Sequence, residues 1–112
     1  FVKRKELPKY YKEADLHVMP SIDETAGTNT VIESLACGTP VVVTDKIGIN
    51  EFPPADASVL FWPREPEPLA TAIADGITRL PQLQAAARAH AKEFHVNRTI
   101  DHLDGLYRSL LK

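Results

Sequence analysis

Two carboxylates bracket a run of small residues in ETAGTNTVIESLACGTPVV, residues 24–42. Glu24 and Glu33 stand on either side of Ala26, Gly27, Thr28 and Thr30, and the run closes on Gly38, Thr39, Pro40 and valines. A carboxylate can accept two hydrogen bonds from a vicinal diol, each contributing roughly 1.5 to 3 kcal/mol when charge-assisted. Small residues ahead of a helix let an anion reach backbone N–H groups, where the helix dipole favours negative charge. These residue types therefore suit a ligand that is both hydroxylated and anionic. Geometry alone favours a plain strand-to-helix connection and a solvated Glu33.

The elements that must position these groups alternate between strand and helix. ELPKYYKEA, 6–14, spaces Leu7, Tyr10, Tyr11 and Ala14 as one helical face, and DLHVMP, 15–20, reads as a short strand ended by Pro20 and Ser21. The loop SIDETAG, 21–27, leaves that strand and enters a helix over TNTVIESLACG, capped by Thr28, Asn29 or Thr30 and stopped at Gly38. At about 100° per residue, the stripe of Val31, Ile32, Leu35 and Ala36 leaves Glu33 pointing away from the core. PVVVTD is a continuous β-branched run, the mark of a parallel strand buried on both faces, and SVLFW, 58–62, is a third strand. Helices are expected over 65–80, with Leu69, Ala72, Ile73 and Ile77 facing inward, from Pro81 through an alanine-rich run, and over 96–112 with Ile100, Leu103, Leu106, Tyr107 and Leu110 on one face. The class is α/β, and ligands in such sheets sit beyond the carboxyl ends of the strands.

Composition excludes several functions. The 112 residues carry 13 basic and 15 acidic side chains with no basic stripe, so no nucleic-acid partner is expected. One cysteine, Cys37, rules out an internal disulfide and a cysteine-rich metal site and fits a reducing, cytoplasmic compartment. His90, His95 and His102 do not converge in metal-ligand spacing and are expected in solvent, His17 is expected packed within its strand, and no metal or cofactor is implied. No stretch of about 18 apolar residues is present to span a membrane.

The run ADLHVMPSIDETAG followed by VIESLACGTPVVVTDKIGINE resembles the donor-binding half of the C-terminal domain of GT-B fold retaining glycosyltransferases, glycosyltransferase family 4 (glycosyl transferases group 1). Matching features are Ala14, Asp15, Pro20, Ser21, Glu24, Glu33, residues 36–42, Thr44, Asp45, Gly48, Ile49 and Glu51, and the likeness continues through the closing helix. The resemblance implies that residues 1–112 are part of a Rossmann-like nucleotide-sugar-binding domain with parallel strands, flanking helices and a helical C-terminus.

The resemblance also implies roles. Glu33 looks like the glutamate that grips the ribose of a nucleotide diphosphate sugar. Glu24 looks like the catalytic-site glutamate near the donor sugar, and the stretch holding Ala26, Gly27, Thr28 and Thr30 would face sugar and diphosphate. Eight residues separate Glu24 from Glu33, one more than the family's usual spacing, which sets Glu24 off its usual direction. In the family an N-terminal domain supplies the acceptor side, so that domain is the expected partner and residues 1–112 alone are expected to be inactive. Any membrane-surface association would belong to the full-length protein, and the first strand, as an open edge, would invite dimerisation. A nucleotide-sugar epimerase of related fold and a non-catalytic binding or assembly module remain as alternatives.

Overall fold

The computed structural model describes residues 1–21, 24–46, 50–51, 53–94 and 96–111, with side chains at all of these except 24–28 and 96. The expected readings of Gly48, Ile49 and His95 fall outside the described residues. Three parallel strands, β1 (His17–Met19), β2 (Val41–Thr44) and β3 (Ser58–Phe61), lie in the order β1-β2-β3. Register pairs His17 with Val41 and Val41 with Ser58. A 3-10 turn (Arg4–Glu6) leads into α1 (Leu7–Glu13), α2 (Glu24–Ala36) connects β1 to β2, and α3 (Pro66–Thr78), α4 (Leu80–His90) and α5 (Val96–Leu110) follow the sheet.

The valine run of β2 explains why the sheet is covered on both sides. Side chains alternate across a strand, so Val41 and Val43 enter one core with Met19, Val31, Leu35, Ala57 and Ala87, while Val42 enters the other with Val59, Phe61, Ala72 and Leu83. Each valine of β2 is fully buried, which contributes about 1.5 to 3 kcal/mol per side chain. Helix α4 serves both cores, through Leu83 and Ala87.

The described structure moves one boundary. Helix α2 begins at Glu24, so Thr25, Ala26 and Gly27 belong to its first turn rather than to a loop ending at Gly27. No proline interrupts 24–36, and a lone helical glycine costs only about 1 kcal/mol, too little to hold the helix back. The stop is where the sequence puts it: Gly38 has φ +79°, and its N–H bonds the Leu35 carbonyl at 2.9 Å.

One apolar face differs from expectation. Ile77 is 60% exposed because α3 meets the sheet through Leu69, Ala72 and Ile73, with Gly76 pressed against Leu16 and Val42. The α5 stripe of Ile100, Leu103, Leu106, Tyr107 and Leu110 is helical as expected, and every member is exposed. Strand β1 is an edge of the sheet, and so is β3.

Candidate functional site

Parallel strands place the ends of β1 and β2, and the start of α2, on the carboxyl side of the sheet. There Asn50 donates to Asp45 Oδ1 at 2.8 Å, and Arg64 Nη1 approaches the Pro20 carbonyl at 3.5 Å. Thr44 Oγ1 is buried at this end without a hydrogen-bond partner among the described residues. The backbone of 24–28 forms the opening turns of α2, and Thr30 is half-buried further along it.

Glu33 belongs to a different locality. Positions 24 and 33 lie nine residue steps apart on continuous helix, which is about 13.5 Å of rise and two and a half turns. The helix therefore does not bring the two positions together. Glu33 is half-buried, and the Tyr11 hydroxyl donates to its Oε2 at 3.0 Å.

Tyr11 is fixed in turn. Its backbone carbonyl accepts the Thr39 hydroxyl, and its ring meets His17 edge-on at 5.6 Å between centroids. Burial, then the bond to Glu33, pushes the Tyr11 hydroxyl up to about 12, so it stays a donor across neutral pH. Burial lowers the pKa of His17 from its ordinary value, against the opposing charge of Glu33, and His17 Nδ1 has no partner among the described residues.

A cavity of about 270 Å³ opens beside this pair. Leu7, Pro8 and Tyr11 of α1 form one wall and Ala36 and Cys37 the other, with Arg4 and Glu33 as its charged groups. An apolar cleft with few convergent polar groups is the usual form of a small-molecule site. Burial raises the Cys37 thiol while Lys12 opposes it, so Cys37 lines the wall as a weakly ionised group rather than a nucleophile. The chemistry available here is recognition: one cation, one carboxylate acceptor and a ring-sized apolar wall.

The sequence singles out Glu33 but leaves Tyr11 in an apolar stripe and gives no sign of Arg4 at the site. The signal for Tyr11 was its hydroxyl, which must find a partner wherever the ring is covered. His90 was expected in solvent, but its Nδ1 meets Glu93 and its Nε2 meets Asp56, both at 3.0 Å. Among the described residues, no three His, Cys, Asp or Glu side chains gather as a metal-ligand set, and no helix is long and apolar enough to cross a membrane.

Comparison with known proteins gives three findings. The sequence model of the family "Glycosyl transferases group 1" matches residues 1–79. A D-inositol 3-phosphate glycosyltransferase of Geodermatophilus obscurus is 38% identical over 102 residues, 90% of this chain and 22% of the relative, and one of Catenulispora acidiphila is 37% identical over 111 residues, 96% of this chain and 26% of the relative. The solved structure of sucrose-phosphate synthase from Thermosynechococcus elongatus matches with a TM-score of 0.80 at 28% identity, covering 98% of this chain and 29% of that one. The chain thus spans about a quarter of the length of the curated relatives it matches.

Proposed function

The chain belongs to the glycosyl transferases group 1, and from that membership we propose that it forms the donor-nucleotide wall of a retaining glycosyltransferase. The enzyme transfers a sugar from a nucleotide diphosphate to an acceptor hydroxyl. In that transfer the bond between the anomeric carbon and the diphosphate breaks with its electron pair on the leaving oxygen. The acceptor oxygen bonds the anomeric carbon on the face just vacated, and its proton leaves with the diphosphate.

The observation that carries the proposal is Glu33, a half-buried carboxylate lining an apolar cavity between α1 and the end of α2. The cavity suits a nucleoside, with the base against Leu7 and Pro8 and the ribose hydroxyls donating to Glu33. The opening turn of α2, whose first backbone N–H groups have no intrahelical partners, suits the charge that develops on the diphosphate. Ala26, Gly27, Thr28 and Thr30 take the sugar-diphosphate side, and Glu24 stands nearest the reacting carbon. Acceptor binding falls to residues of the intact enzyme outside these 112, so the 112 residues alone should not turn over.

The test is a panel of UDP-, GDP- and ADP-sugars on the intact enzyme, wild type against Glu33→Ala and Glu24→Ala. Glu33→Ala should weaken donor binding at least tenfold, and Glu24→Ala should lower kcat. Unchanged donor affinity and rate in Glu33→Ala would remove the ribose assignment. An isomerised donor with no acceptor requirement would replace transfer by epimerisation.

A further inference from the structure

We propose that Tyr11 is the positioning residue of the donor site: by holding one oxygen of Glu33, it sets the carboxylate in the orientation that receives the ribose. This rests on the reading of Glu33 as the ribose acceptor.

A glutamate on a helix face has three rotatable side-chain bonds, and ordering it on ligand binding takes free energy out of the binding event. Here the ordering is built into the fold. The Tyr11 hydroxyl, 22 residues away on another helix, donates to Glu33 Oε2 at 3.0 Å. A carboxylate offers about four lone-pair sites, so one bond from Tyr11 leaves capacity for a diol.

Tyr11 can do this because it is itself held from three elements. Its backbone is part of α1, its carbonyl takes the hydroxyl of Thr39, which is 3% exposed just beyond the α2 stop, and its ring rests edge-on against His17 of β1. The ring has two side-chain torsions, fewer than the long flexible donors Lys and Arg. Tyr11 also lines the cavity that Glu33 lines, so the bond lies at the site rather than behind it. A tyrosine placed only for packing would not need its hydroxyl on the one carboxylate of that cavity. The hydroxyl is kept protonated by burial and by Glu33 itself, so the donor does not fail at alkaline assay pH.

The experiment is a double-mutant cycle in the intact enzyme with Tyr11→Phe, Glu33→Ala and the pair, reading donor KM, kcat and the binding of the corresponding nucleoside diphosphate. Tyr11→Phe keeps the ring against His17 and removes only the hydroxyl. It should raise donor KM and weaken nucleoside diphosphate binding about tenfold, about 1.4 kcal/mol, with kcat within about twofold. In the Glu33→Ala background the same change should have less than about a twofold effect, because the group it orients is gone. An unchanged KM in Tyr11→Phe overturns the proposal, as does a full tenfold effect that persists without Glu33; both leave the ribose reading intact. Loss of kcat with KM unchanged also overturns it, since that marks a transition-state role. If Glu33→Ala itself leaves donor binding unchanged, the ribose reading falls and this inference falls with it. Thermal denaturation of Tyr11→Phe should stay close to wild type, which separates lost orientation from lost fold.

Discussion

Thr39 donates its hydroxyl to the backbone carbonyl of Tyr11 and so fastens the residue beyond the α2 stop to the middle of α1. The carbonyl belongs to a seven-residue helix too short to be stable by itself, so α1 depends on such ties. The partner is buried, and the Thr39 N–H is itself bonded to the Ser34 carbonyl at 3.0 Å. Both ends of the tie are therefore immobilised before any ligand arrives.

Thr39→Val removes that donor while keeping the shape. It should destabilise the fold by about 1 to 3 kcal/mol, the cost of leaving a covered polar group unsatisfied. Chemical denaturation measures it, and Thr39→Ser, which restores the hydroxyl, should recover most of the loss.

Gly38→Ala should cost about 1 to 2 kcal/mol by thermal denaturation, the price of a left-handed conformation for a residue with a Cβ. The site is also tight: a Cβ at Gly38, whose φ is +79°, would meet Arg88 Cγ at 3.0 Å. Truncating Arg88 to Ala relieves the contact but not the backbone strain, so Gly38→Ala with Arg88→Ala should remain destabilised.

His17 and His90 should tilt the pH dependence of stability in opposite directions. The Glu93 bond and then Asp56 raise the His90 pKa above its ordinary value, so its contribution is complete below about pH 6.5 and is lost as pH rises through the folded pKa. Burial lowers the His17 pKa, so the fold is at full strength above about pH 6.5 and weakens as pH falls towards the folded value. His17→Phe should flatten the limb of stability below about pH 6.5, and His90→Gln the limb above it. NMR titration of the two imidazoles should show them displaced to opposite sides of the ordinary histidine value.

The exposed α5 stripe and the two sheet edges predict association of the 112-residue unit in isolation. Sedimentation should show concentration-dependent oligomers, and Leu103→Glu with Leu106→Glu should reduce them while leaving the melting temperature near wild type, because both side chains are exposed. A unit that stays monomeric on concentration would show that these faces do not self-associate.

How much of this is legible in the sequence differs element by element. VVVT announces a doubly covered strand because only burial on both faces tolerates three successive valines, and β2 is the central strand. Gly38 announces the α2 stop because a left-handed residue is needed there. The α2 start is not legible, since Thr25, Ala26 and Gly27 suit a loop or a helix and the choice depends on neighbours. Glu33 is readable as lying off the Val31 and Leu35 stripe, but its partner is not: periodicity reports which face a residue occupies, never which distant element covers that face. The α5 stripe likewise reads as a packing face from its period alone, and no described element covers it.

Helix α2 is tied near its end, by Tyr11 to Glu33 and by Thr39 to Tyr11, while its opening turn stands about 13.5 Å away. It is thus a rigid rod with one end anchored beside the cavity. A tilt of about 5° at the tied end carries the opening turn about 1 Å, a distance that matters greatly to a reacting group. Val31 and Leu35, both buried in the core, seat the length of rod between the two ends and hold it against such a tilt.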